Sequence, residues 1–294
     1  MNPSFPYKVS AARGLAILIF GAILMSAVTS AAVALLGRTG MDPVKSMRLA
    51  TIFQDFLVFI LPAFAAALLA TKRAADLLAV RTSPGWKTAV LAIVLMAVST
   101  PLQEAIIYWN YHLDLSWLGS TLEQTARTLE DSTAAVMRSM MSSASVGTLI
   151  INVLIIGVLA GFSEELFFRG GLQRLLTAAG LNAHVAIWLI AIVFSALHLQ
   201  FYGFVPRVLL GVLFGYMLLW SGSLWLPVLM HIINNSVYVF TVWLQVRANG
   251  FDSVDFSPSL WPMWVTIISA VLTVAALWML KSASREKVLN EVKS

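Results

Sequence analysis

The chain has 294 residues, of which 59% are hydrophobic and 11% charged, with a formal net charge of +5. A soluble chain carries about 25% charged residues, so this one has too few to cover a water-facing surface, and lipid is the solvent its composition implies. Basic residues sit in short flanks between apolar runs, which sets nucleic acid aside, and the lack of cysteine excludes disulfides, a thiol nucleophile and thiolate metal sites.

A helical crossing needs about 20 apolar residues. Eight runs qualify as candidates, near 14–36, 50–71, 87–108, 146–168, 183–200, 204–220, 224–244 and 262–281. The first follows Lys8 and Arg13 and exceeds the roughly 7–15-residue core of a signal peptide, so it reads as an uncleaved span. Ser83, Pro84 and Gly85 punctuate the turn before the third. The polar stretch 109–145 holds Asp114, Glu123, Glu130 and Asp131 against Arg127 and Arg138, and reads as one or two amphipathic helices near the interface. None of the runs shows the period-2 alternation of a membrane barrel. The expected fold is all-α: a polytopic integral membrane protein of about eight transmembrane helices.

Lys and Arg are commoner on the side that would hold 1–13, 72–87, 169–182, 221–223 and the tail from 281. The positive-inside rule then places both termini in the cytoplasm, and the expected location is the plasma membrane, as a multi-pass protein.

A charge at the centre of a spanning helix costs about 2.5–3.5 kcal/mol on insertion scales, so polar residues inside the runs are the ones to explain. The densest set is Ser163-Glu164-Glu165 followed by Arg169. Glu165 and Arg169 are four apart on one helix face with the acid first, which favours a structural ion pair. Glu164 points about 100° away and is left for another partner. A desolvated carboxylate left without a basic partner on its own helix, Glu165 having taken Arg169, suits a group that takes and returns a proton. His198 is the next intrusion, and His231 with Asn235, again four apart, is the third. An imidazole and a carboxamide on one face could donate hydrogen bonds to a developing oxyanion. Each feature alone has a bland reading as an ion pair or a packing histidine. Together, on three spans, they point to a shared site. Asp55 and Glu104 read as structural or cavity-lining, and Gln200, Tyr202 and Arg207 as contacts to substrate or, preferably, to headgroups. Trp220, Trp225 and Trp261 near span ends read as an aromatic belt.

Glu164, Glu165 and Arg169, then Phe194 and His198, then His231 and Asn235 form an ordered trio of blocks. That trio resembles the CPBP family: the type II CAAX prenyl endopeptidases and bacterial relatives that include proteins linked to bacteriocin self-immunity. The resemblance covers about 146–244. It implies an intramembrane peptidase in which Glu164 and His198 activate a water, His231 and Asn235 stabilise the oxyanion, and Glu165 and Arg169 position the first group. The chain then divides into an N-terminal part, 1–145, a catalytic core, 146–244, and a last span with a basic tail, 245–294. The expected partners are the bilayer and a membrane-associated protein or peptide substrate.

Three alternatives stand beside this. A zinc-dependent version would use Glu164, His198 and His231 as ligands. The metal-free version is preferred, because no carboxylate is free to back either histidine, Glu165 being committed to Arg169. A catalytically silent binding or immunity protein would not need the complete motif set. A transporter would call for internal repeats or paired half-helices, and neither is visible. One tension remains. With straight spans, His198 and His231 differ in depth by on the order of 15 Å. Either span five starts earlier or span six is short and re-entrant, and Gly203, Pro206, Gly211 and Gly215 suit a bent or closely packed span six.

Overall fold

The computed structural model describes residues 7–141, 143–251, 254 and 256–293, the side chains of residues 118, 285 and 287–293 excepted. The described residues form helices and turns, with no strand. The main helices are α1 (Ala11–Gly37), α2 (Pro43–Ala70), α3 (Trp86–Tyr111), α4 (Ser120–Met140), α5 (Val146–Ala178), α6 (Ala183–Leu197), α7 (Phe204–Ser221), α8 (Trp225–Asn249) and α9 (Met263–Lys293). Seven of them, all but α4 and α6, contain a stretch long and apolar enough to cross a membrane. The apolar α6 adds a shorter eighth, close to the expected count.

Residues such as Phe20, Leu68, Trp86, Val271 and Trp278 stand largely exposed on the outer helix faces. In water that would be a liability; in lipid it is the normal outer surface. Inside, the apolar side chains form two main clusters. One joins Leu18 of α1, Ala63 and Ala67 of α2, Leu166 and Phe168 of α5 and Phe194 of α6. The other joins Leu95 of α3, Phe214 and Met217 of α7, Met230 of α8 and Leu280 of α9. Helix α8 contributes to both, through Val228 and Met230, so the residues that follow them lie at the seam.

Glycine pairs set the helix spacing at that seam. A Cβ on Gly157 would come within 2.4 Å of Ser236 Oγ, and one on Gly161 within 3.1 Å of the Ile232 backbone nitrogen. Two glycines four apart thus let the backbone of α5 approach α8 closely, as in small-residue membrane crossings. Gly211 and Gly215 of α7 do the same against Ala191 and Ile187 of α6. Span six is therefore closely packed, as its glycines suggested.

Two features depart from straight α-helices. Residues 54–60, 153–159 and 166–173 are wound as π-helix inside α2 and α5. Helix α6 has 15 residues and ends at Leu197, with Leu199 in the left-handed region at φ 56°. Its length of about 22 Å falls short of the roughly 30 Å hydrocarbon core. Span five starts where the sequence places it and ends three residues early, so His198 stands at its C-terminal end. The amphipathic stretch 109–145 contains α4, which packs on α2 and on the turn at 201–203.

Candidate active site

Glu165 is completely buried on α5 and its Oε1 accepts two hydrogen bonds. One comes from Arg169 Nη1 at 2.7 Å and the other from His231 Nδ1 at 2.8 Å. The expected ion pair is present, but its carboxylate is not committed to Arg169 alone. A carboxylate only accepts, so His231 Nδ1 carries the proton of that bond. This turns His231 Nε2 toward Glu164, whose Oε2 lies 3.7 Å away. Glu164 is less enclosed than Glu165, as expected for the acid on the neighbouring face.

Arg169 is as buried as its partner. Its Nη2 donates to the Gly211 carbonyl at 3.2 Å, and its guanidinium lies 4.8 Å from the Phe194 ring centre. The glycine makes that carbonyl reachable, since a Cβ there would sit 3.2 Å from Nη2. Gln173, one turn on, donates to Gly215 in the same way. So α5 is fastened to α7 by a cation and an amide that replace lost hydration.

His198 caps the end of α6 and its Nδ1 donates to its own Phe194 carbonyl at 2.8 Å. A carbonyl fixes Nδ1 as the protonated nitrogen, leaving Nε2 free. The Phe194 ring lies between the imidazoles, 4.8 Å from His198 and 6.1 Å from His231. The strained Leu199 follows directly, and such backbone often marks a site whose surroundings over-determine it.

Asn235 lies one turn beyond His231. Its Nδ2 donates to the Ile156 carbonyl at 3.1 Å, and its Oδ1 accepts from Asn234 at 3.3 Å. Ile156 is within the π-wound segment of α5, so Asn235 also ties α8 to α5.

The structure therefore brings Glu164, Glu165, Arg169 and His231 into direct contact range. His198 and Asn235 border that group through Phe194 and the α5 backbone. Among the described residues, no three His, Asp or Glu side chains gather around one metal position. Of the three residues considered for zinc, Glu164 and His231 face each other across 3.7 Å, and His198 lies on the far side of the Phe194 ring from His231.

One member was missed. Asp55 is buried in the π-wound segment of α2, where its Oδ1 accepts from Ser163 Oγ at 2.6 Å. Ser163 immediately precedes Glu164, and Asp55 lies within electrostatic range of both Glu164 and His231. Its intramembrane position was the signal; a partner 108 residues away could not be read from spacing. Gln200 and Arg207 are likewise not free for headgroups. Arg207 Nη2 donates to Gln200 Oε1 at 2.7 Å, and Gln200 Nε2 donates to Glu130 Oε1 of α4 at 3.2 Å. Tyr202 is buried, with Arg127 of α4 stacked 4.9 Å from its ring centre.

Comparison with known proteins agrees with the resemblance read from the motifs. Residues 146–237 match the model of the family described as type II CAAX prenyl endopeptidase Rce1-like. A segment of 106 residues is 29% identical to YpbD of Bacillus subtilis, a protein described as uncharacterized. That match covers 34% of this chain and 51% of YpbD, so the chain spans about half the length of the curated relative it matches. No solved structure matches.

Proposed function

We propose that this membrane protein is an endopeptidase that hydrolyses a peptide bond of a membrane-associated protein or peptide, with Glu164 as general base. The similarity of residues 146–237 to a family of membrane proteases supports the reaction class. The observation that carries the mechanism is the division of labour between adjacent acids. Glu165 is engaged by Arg169 and His231, while Glu164 faces His231 Nε2 across a 3.7 Å gap and makes no ion-pair contact with Arg169 of the same helix.

In this reading, a water beside Glu164 and the free Nε2 of His198 loses a proton to Glu164 as its oxygen attacks the scissile carbonyl. Negative charge passes to the carbonyl oxygen. The unspent Nδ2 hydrogen of Asn235 stabilises it, joined by His231 where Nε2 carries a hydrogen as well as Nδ1. Collapse of the tetrahedral intermediate breaks the carbon–nitrogen bond, and the proton held by Glu164 goes to the departing amine. Asp55 fixes Ser163 and with it the turn that carries Glu164.

A zinc-dependent version draws support from one contact. Glu165 behind His231 is the carboxylate–histidine arrangement that often backs a metal-bound imidazole, and it answers the objection that Glu165 was committed elsewhere. Against it, no group of three His, Asp or Glu side chains suited to one metal ion is found among the described residues, and catalytic zinc takes three ligands from protein. The metal-free reading is therefore the one carried forward.

The test is peptide cleavage by purified protein in lipid, with and without chelator, comparing wild type with Glu164→Gln. That change keeps shape and removes the base. Cleavage lost in a folded Glu164→Gln protein and insensitive to chelator is the expected result. Full activity of the variant would end this mechanism. Loss on chelation with recovery on adding zinc would move Glu164 and His231 to metal ligation.

A further inference from the structure

The proposed hydrolysis moves negative charge from Glu164 to the scissile carbonyl oxygen. The hydrogen-bond donors nearest that path are already part-used. His231 Nδ1 is spent on Glu165, and Asn235 has given one hydrogen to Ile156. A second cation lies within electrostatic range of that base. Arg207 sits in the first turn of α7, outside the three motif blocks. It lies within electrostatic range of both Glu164 and His198.

Its hydrogen bonding is incomplete. Nη2 is held by Gln200, while Nη1 is buried with no hydrogen-bond partner. A Cβ on Gly203 would come within 3.1 Å of Nη2, so the bare glycine leaves room for the guanidinium. A guanidinium stays charged, and an unpaired buried donor is costly enough to need an explanation. Arg169 has Glu165 to balance it. Arg207 has a neutral amide in contact and the acids Glu130 and Glu164 only at longer range. The donor with hydrogens to spare is thus the one held near the base that starts the reaction.

We infer that Arg207 is a further catalytic residue, whose Nη1 donates to the scissile carbonyl oxygen as that oxygen takes up negative charge. The inference rests on the hydrolytic reading of the site. Because Arg207 is charged before and after attack, it favours the state in which charge has left Glu164 and reached the substrate. Its net effect belongs to the transition state and not to substrate binding.

The experiment compares wild type, Arg207→Gln, Arg207→Lys and Glu164→Gln for cleavage of one membrane-associated peptide by the full chain in lipid vesicles. Loss of one oxyanion donor lowers kcat about 10²–10³-fold, so Arg207→Gln is expected in that range with KM little changed. Arg207→Lys keeps the charge and should recover part of the loss. Wild-type kcat in Arg207→Gln overturns the inference, as does a raised KM at unchanged kcat, which would make Arg207 an anchor for substrate. If Arg207→Gln does not fold, Arg207→Lys decides: a lowered kcat at constant KM supports the role, and unaltered kinetics overturn it. Glu164-dependent cleavage that survives loss of Arg207 overturns this inference alone. A wild-type chain that cleaves nothing overturns it together with the hydrolytic reading.

Discussion

Glu165 on α5 and His231 on α8 are joined by a 2.8 Å hydrogen bond, between residues 66 positions apart in the chain. The same carboxylate oxygen holds Arg169, which reaches α7 through the Gly211 carbonyl. One buried acid thus ties three helices together and sets which imidazole nitrogen is left to face Glu164.

Arg169→Ala is expected to lower folded yield and melting temperature as well as turnover. It strips a buried carboxylate of its charge partner, a change that costs about 3–5 kcal/mol in buried pairs. Thermal unfolding in detergent, read beside peptide cleavage, checks this. An inactive variant with unchanged melting would give Arg169 a direct part in the chemistry.

Gly161→Val is expected to impair activity and stability together. Its first added carbon would press on the Ile232 backbone nitrogen, which cannot rotate away. Overpacking of this kind costs about 1–3 kcal/mol and would push His231 away from the two acids. Gly147→Ala, where only Ser145 Oγ lies within 4 Å of the added carbon, is the matched control. Equal effects from both would show that helix spacing at the seam is unimportant.

Helix α4 should loosen as pH rises. Burial raises Glu130 above the ordinary glutamate range, against the opposing pull of Arg207 and the Gln200 hydrogen bond. A carboxyl raised on docking favours the docked state most where it is protonated. The contribution is complete below the undocked value, about 4.3, and is lost as pH climbs through the raised one. Hydrogen exchange across 120–140 should therefore speed up with pH beyond its intrinsic rate, and Glu130→Gln should remove that excess. A wild-type excess that persists unchanged in Glu130→Gln would assign it to another group.

Both termini are expected on the cytoplasmic face, from the basic-residue bias and the pairing of seven long spans with the short α6. Reporter fusions after α9 and within 120–140 should give opposite signals. An external signal from the C-terminal fusion would reverse the orientation.

The motif blocks were legible because a charge in an apolar run is conspicuous. Glu164, His198 and His231 stand out from their neighbours in any hydropathy reading. Pair spacing also found Glu165 with Arg169, since helix geometry alone brings residues four apart together. It could not find that Oε1 of Glu165 has room for a second donor from α8. Asp55 was set aside because its partner, Ser163, comes near only after α2 and α5 pack. The three π-wound segments escaped notice because apolar residues fill both helix types alike. The apolar residues Leu197 and Leu199 extend the run of span five toward residue 200, whereas the left-handed turn at Leu199 ends the helix at Leu197.

The shortness of α6 has a consequence for the surrounding lipid. About 8 Å of the hydrocarbon thickness beside this helix has no helix to match it. A helix this short is accommodated by local thinning of the lipid, by snorkelling of flanking residues or by association, each at a cost of fractions of a kcal/mol per Å. Shorter acyl chains relieve that deformation and longer ones increase it. Acyl-chain length is therefore a quantity to hold fixed when variants at His198, at the end of this helix, are compared in vesicles.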